Sequence, residues 1–128
     1  MLNEFLNMDD CIFCNELNTI YEDAFWKAIY DKYPVSKGHA LIISKKHFEN
    51  YFELEVDELF SLHMAIQNVK KIIDKNYHPD GYNIGCNCGE AAGQTINHFH
   101  LHVIPRYKGD VDNPQGGIRG VIPNKQYY

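Results

Sequence analysis

His98, His100 and His102 recur at every second position within Gln94–Arg106, which reads QTINHFHLHVIPR. A β-strand sends successive side chains to opposite faces. Strand geometry therefore puts three imidazoles on one side and Phe99, Leu101 and Val103 on the other. A helix would fan the histidines out by about 200° per step and lose the pattern. Imidazole titrates at about pH 6.5, so its neutral form is available in a cell as nucleophile, base or metal ligand. Three readings compete: a metal site using two or three of them, nucleophilic catalysis by one with hydrogen bonds from its neighbours, and a chance cluster on a solvated face. Strict alternation of three disfavours the last.

The flanks add a second chemistry. Asn87, Gly89, Glu90, Gly93, Gln94 and Thr95 form a small-residue approach to the histidines. Glycines let backbone come close to a ligand, and exposed N–H and hydroxyl groups suit phosphate oxygens. Arg106, four residues past His102, is either a phosphate contact or a solvated charge at the strand end. Such a set fits a polyanionic substrate better than a hydrolytic metal centre, because no carboxylate adjoins the triad in sequence to orient a metal-bound water. The cysteines come as Cys11-x-x-Cys14 and Cys86-x-Cys88. The first pair has the spacing of half a tetrahedral zinc site. Its redox alternative wants a thioredoxin-like βαβ setting that the pattern lacks. Cys86 and Cys88 read as small strand residues.

These groups need elements to position them. Cys11 to Leu17 reads as a turn leading into a short N-terminal helix. Tyr21 to Tyr30 is rich in β-formers and reads as a strand or hairpin, followed by a loop through Pro34 to Gly38. Ala40-Leu41-Ile42-Ile43 suits a strand buried on both faces. Val56 to Lys75 carries the apolar stripe Leu59, Leu62, Ile66, Val69 and Ile73, with Asp57 and Glu58 early and lysines late, as a helix dipole favours. Tyr82 to Cys86 reads as a further strand. Residues 107–128 are rich in Gly, Asp and Pro and read as a loop and tail, with Val121-Ile122-Pro123 apolar enough to dock. The expected class is α+β: about five antiparallel strands, one long helix and a short N-terminal one.

A length of 128 residues suits one domain spanning 1–128, with its core at about 11–106. At 45% hydrophobic and 23% charged residues, the composition is that of an ordinary globular protein. A net charge of -5 argues against nucleic acid and anionic membranes as partners. The acidic N-terminus lacks a signal-peptide pattern, and no run reaches the roughly 20 apolar residues that cross a bilayer. A cytoplasmic location is expected, where cysteines stay reduced.

Gly93-Gln94-Thr95-x-x-His98-x-His100-x-His102-Val103-Ile104-Pro105-Arg106 closely resembles the signature of the histidine triad (HIT) family. Asp31 with Gly38-His39-x-Leu41-Ile42-Ile43, and Asn87-x-Gly89-Glu90, resemble the same family in order and spacing. The resemblance implies a nucleotide hydrolase or nucleotidyl transferase working at an adenosine-bearing α-phosphate. His100 would attack phosphorus and form a covalent nucleotidyl-imidazole. His102 would contact the phosphate and assist the leaving group, and His39 would support the triad. Asn87, Gly93, Gln94 and Thr95 would line the phosphate pocket, Asp31 would bind the ribose and Ile29 would pack on the purine. Lys32 departs from the apolar residue many members carry beside it. Zinc-containing bacterial-type members imply a structural Zn²⁺ on Cys11, Cys14, His47 and His98. A homodimer is also implied. The slight lean is to dinucleoside polyphosphates. The rivals are nucleoside phosphoramidates or adenylyl-lysine as substrate, and a nucleotide-binding regulatory module with incidental turnover.

Overall fold

The computed structural model describes residues 11–15 and 18–128. The expected short N-terminal helix lies outside the described residues; Ile12–Cys14 form a turn. Five strands follow: β1 (Tyr21–Glu22), β2 (Trp26–Tyr30), β3 (Ala40–Ser44), β4 (Gly81–Gly85) and β5 (His100–Arg106). A single long helix, α1 (Val56–Tyr77), stands between β3 and β4. The sheet runs β1-β2-β3-β5-β4, antiparallel at every step. The fold is α+β, as expected from the pattern.

Local chemistry explains the elements. The Asp23 carboxylate accepts from the Phe25 and Trp26 N–H groups, both at 2.8 Å, which turns β1 into β2. At the start of α1 the Glu55 N–H donates to Glu58 Oε1 at 2.9 Å, covering a donor that a helix start leaves unpaired. The helix runs two residues past Lys75. It ends where His78 turns left-handed at φ 53°, with Pro79 next. Strand β5 passes through Pro105, which pairs with Tyr82.

One face of the sheet carries the core. Trp26, Ala28, Ala40, Ile42, Leu101 and Val103 pack with Phe99 against Leu62, Ala65, Val69 and Ile73 of α1. Apolar burial contributes about 25 cal/mol per Å², so this face supplies most of the driving force for folding. Residues of the alternate parity, Leu41 and Ile43, face the other way and pack with Cys11 and Phe13 of the N-terminal turn. Every residue of β3 is thus buried, which accounts for its unbroken apolar run. Gly38, just before β3, has φ +87°, and an added Cβ would lie 2.9 Å from the Tyr77 ring. Both the conformation and the contact call for glycine there. It delivers His39 to the buried end of the loop.

Candidate active site and metal centre

Strand β5 starts at His100, and the rings of all three histidines lie on the side opposite α1. His100 pairs with Ile43 and His102 with Leu41. His98, just ahead of the strand, sits in a bend and is fully buried; its ring meets Phe13 and Cys11, which cluster with Leu41 and Ile43 on that side. Backbone pairing takes it out of the strand. The Phe99 N–H donates to the Phe48 carbonyl at 2.7 Å and the Phe99 carbonyl accepts from the Ser44 N–H at 3.4 Å, which pulls the chain out of strand geometry.

Hydrogen bonds to backbone fix the proton on each ring, because an amide N–H only donates and a carbonyl only accepts. His39 Nδ1 accepts from the Val35 N–H at 3.1 Å, so in the neutral ring the proton is on Nε2. That Nε2 lies 2.9 Å from His102 Nδ1 and 3.4 Å from Asp31 Oδ2. His102 Nδ1 therefore accepts, which leaves its proton on Nε2. His100 is the reverse: its Nδ1 donates to the His98 carbonyl at 2.9 Å, so its Nε2 carries a bare lone pair. Adjacent rings on one face thus offer one nucleophilic nitrogen and one N–H donor. Burial holds His39, His100 and His102 below the usual imidazole value, with the nearby Asp31 charge opposing it at each. All three stay neutral at cellular pH.

The same rule governs His98. Its Nε2 donates to the Ser44 carbonyl at 2.7 Å, leaving Nδ1 unprotonated. That Nδ1 lies 2.9 Å from His47 Nδ1, 3.3 Å from Cys14 Sγ and 3.4 Å from Cys11 Sγ. All four ligand atoms fall within 4.8 Å of one another. Two soft sulfurs and two imidazole nitrogens converging on one point fit zinc, whose bonds to them are about 2.0–2.3 Å. Burial, then the neighbouring Cys11, pushes the Cys14 thiol up to about 11. A divalent cation among these groups would reverse that and favour the thiolate. The Ser44 carbonyl supplies the outer hydrogen bond that orients a metal-binding histidine.

The remaining expected residues divide. Asp31 reaches the triad through space rather than sequence, and its Oδ1 accepts from the Tyr33 N–H at 2.8 Å. Ile29 shares the open face, packing against the cluster of Leu41, Ile43 and Phe13. Thr95 and Gly93 are exposed at the loop, with Gly93 at φ +90° and Asn87 beside it. Gln94 is a correction to the expected phosphate contact. Its side chain is buried and its amide is used up on backbone, with Oε1 accepting from Gly89 N–H at 2.9 Å and Nε2 donating to the Glu49 and Ile96 carbonyls at 2.7 and 3.1 Å. It braces the loop. Arg106 follows neither expectation. It makes two bonds to the Asp110 carboxylate at 2.8 and 2.9 Å and a third to Asn83 Oδ1 at 2.7 Å, pinning the C-terminal segment. Sequence reasoning missed Phe13, whose ring meets the His100 ring edge-on at 4.9 Å. Its position between the two cysteines was the available signal.

A protein-family model described as HIT domain matches residues 14–109. The chain belongs to the HIT family. An uncharacterized HIT-like protein of Methanocaldococcus jannaschii is 44% identical over 108 residues, covering 78% of this chain and 81% of its own. An adenylylsulfatase of Arabidopsis thaliana is 34% identical over 80% of this chain and 55% of its own length. A bis(5'-adenosyl)-triphosphatase of Dictyostelium discoideum is 31% identical over 67% of this chain and 58% of its own. The family thus includes proteins named as hydrolases. Among solved structures, a hypothetical histidine triad nucleotide-binding protein from Sulfolobus tokodaii superposes with a TM-score of 0.72 at 44% identity, covering 77% of this chain and 70% of its own. A zinc-bound HIT protein from Mycobacterium smegmatis superposes at 0.73 with 33% identity, covering 81% and 80%. No helix among the described residues is long and apolar enough to cross a membrane.

Proposed function

We propose that this protein hydrolyses nucleotides at an adenosine-bearing α-phosphate, of the dinucleoside polyphosphate type, through a covalent nucleotidyl-His100 intermediate. The observation that carries this reading is a pair of 2.9 Å contacts, His100 Nδ1 to the His98 carbonyl and His39 Nε2 to His102 Nδ1, which assign a lone pair to His100 Nε2 beside an N–H on His102 Nε2. In the first step His100 Nε2 attacks the α-phosphorus and the bond to the bridging oxygen breaks. His102 Nε2–H hydrogen-bonds that oxygen as it gains charge. The His98 carbonyl, already bound to His100 Nδ1–H, stabilises the imidazolium that forms. In the second step water attacks phosphorus, the P–N bond breaks with its electron pair returning to His100 Nε2, the water's proton passes to solvent and the neutral ring returns. A good nucleophile that is also a good leaving group divides one hard displacement into two easier ones.

The nucleoside fits beside these rings. Ile29, backed by the buried Phe13 and Leu41, makes an apolar shelf for the purine, and the Asp31 carboxylate accepts from the ribose hydroxyls. The Thr95 hydroxyl and the backbone around Gly93 and Asn87 hold phosphate oxygens, while Gln94 positions that loop. The relatives named above as acting on a bis(5'-adenosyl) triphosphate and on an adenylyl sulfate support an adenosine phosphate as the common part.

Zn²⁺ on Cys11, Cys14, His47 and His98 is part of the same reading. Four protein ligands leave no open position, so the ion would be structural. It would tie the N-terminal turn, with Phe13, to the start of β5. Thiolate ligands suit a reducing, cytoplasmic setting, and residues 107–128 belong to the same single domain. We also read the protein as a homodimer. Edge strand β4 exposes Ile84, and the outward side of α1 exposes Val56, Phe60 and Met64 at four-residue spacing.

His100→Ala should abolish hydrolysis of diadenosine triphosphate while AMP affinity stays within about tenfold, since the nucleophile serves the reaction more than binding; retained turnover would refute the assignment. Elemental analysis of the purified protein should give one zinc per chain, and Cys14→Ser should lose it. Metal-free wild-type protein with all its thiols titratable would contradict the site. Sedimentation velocity should find a dimer in the wild type and a monomer in Phe60→Glu, and a wild-type monomer would rule the dimer out.

A further inference from the structure

Two cysteines stand outside the proposed metal centre. Cys86 and Cys88, free and half-buried, hold their sulfurs 3.9 Å apart just beyond the end of β4. Among the described residues they join no cluster of metal-ligating groups, unlike Cys11 and Cys14. Their chemistry is therefore that of a dithiol.

The pair backs the loop to which phosphate binding is assigned. Cys86 packs on the core cluster shared by the sheet and α1, and Cys88 meets it there. Gly85 pairs with His102 on the opposite, histidine-bearing side. The same antiparallel count, carried two residues further, brings Asn87 level with His100. Asn87 Nδ2 lies 3.9 Å from where a Cβ on Gly93 would stand. Beyond Cys88, Gly89 has φ +94° and carries three bonds of the loop. Its N–H donates to Gln94 Oε1 at 2.9 Å, and its carbonyl accepts from the Ala92 and Gln94 N–H groups, both at 3.1 Å. A shift of Cys88 is thus passed through Gly89 to Gly93 and Thr95.

Bonding the sulfurs would produce such a shift. A disulfide needs about 2.05 Å between sulfurs and Cα atoms about 4.4–6.8 Å apart. Two residues of extended chain span up to about 7 Å, so closing the ring bends the backbone at Asn87. Bending there moves the front of the loop from behind.

We propose that Cys86 and Cys88 form a reversible oxidation site, closed to an intrachain disulfide by a low-molecular-weight disulfide, and that closure weakens phosphate binding on the other face. The effect on turnover rests on the nucleotide-hydrolase reading; the bridge itself does not. Burial, then the neighbouring Cys88, pushes the Cys86 thiol up to about 11, so Cys88 attacks first. Cys88 gives its proton to solvent and its thiolate attacks one sulfur of the small disulfide. That S–S bond breaks, and the departing thiolate takes up a proton. Cys86 then loses its proton and attacks the Cys88 sulfur, expelling the second thiolate, which is protonated in turn. The protein gives up two hydrogens and two electrons, and the small disulfide leaves as two thiols. In a reducing cytoplasm the bridge would be transient, as a regulatory one must be.

The test equilibrates the purified protein with excess glutathione disulfide and reads both bond and rate. The tryptic peptide Asn76–Arg106 contains Cys86 and Cys88 and no other cysteine. Its mass should fall by two hydrogens and return with dithiothreitol. Two free thiols there, or a glutathione adduct that never resolves into the bridge, overturn the site. That reading needs only wild-type protein. With the bridge, kcat/KM for diadenosine triphosphate should drop about tenfold, the scale of one lost hydrogen bond to a charged group, and recover on reduction. Cys88→Ser should match the reduced wild type and ignore the oxidant. A bridge that leaves the rate unchanged, or equal loss in Cys88→Ser, overturns the coupling to the loop. Reduced protein that cleaves nothing sinks the hydrolase reading separately. AMP affinity by calorimetry then replaces the rate, and it must fall about tenfold on oxidation by the same argument; equal affinities would overturn the coupling.

Discussion

The buried hydrogen bond from His98 Nε2 to the Ser44 carbonyl, at 2.7 Å, is the constraint on which both halves of the site depend. It orients a ring with no solvent exposure, and leaving either partner unpaired there would cost about 1–3 kcal/mol. With that ring fixed, Nδ1 faces two sulfurs and a second imidazole. The carbonyl of the same residue takes the proton-bearing nitrogen of His100. One residue therefore sets the geometry of the proposed metal centre and the tautomer of the proposed nucleophile.

A second chain of bonds acts from the other side. The Val35 amide fixes His39, and His39 fixes His102. Two backbone groups, one on either side, thus leave His100 and His102 with opposite protons on their outward nitrogens. Preorganisation of this kind costs nothing at the moment of reaction, because the dipoles already point where charge develops. Phe13 adds the connection to zinc in the proposed scheme: it sits between the two cysteines and packs on His100. The ion would hold an aromatic wall of the site in place without touching substrate.

Much of this was legible from the chain alone where the signal was local. The four-residue apolar run gave β3, the three-and-four stripe gave α1, and alternation placed His100 and His102 on one face. Asp57, Glu58 and the late lysines marked the helix direction. What stayed hidden depended on distant partners. His98 leaves the strand because Phe99 bonds Phe48 across half the chain. Gln94 looked like a phosphate ligand until Glu49, far off in sequence, claimed its amide. Arg106 reads in sequence as a phosphate contact or a solvated charge, and Asp110 and Asn83 make it an anchor. Periodicity reports which face a side chain takes, and it is silent on which loop arrives to meet it.

The central claim is that His100 itself becomes covalently bonded to phosphorus. Each in-line displacement inverts the configuration at phosphorus, so two in succession restore it. The stereochemical course of hydrolysis is therefore the most direct measurement. A substrate made chiral at the α-phosphorus with sulfur, cleaved in isotopically labelled water, should yield product with overall retention. Inversion would mean that water attacks directly, and it would contradict the account.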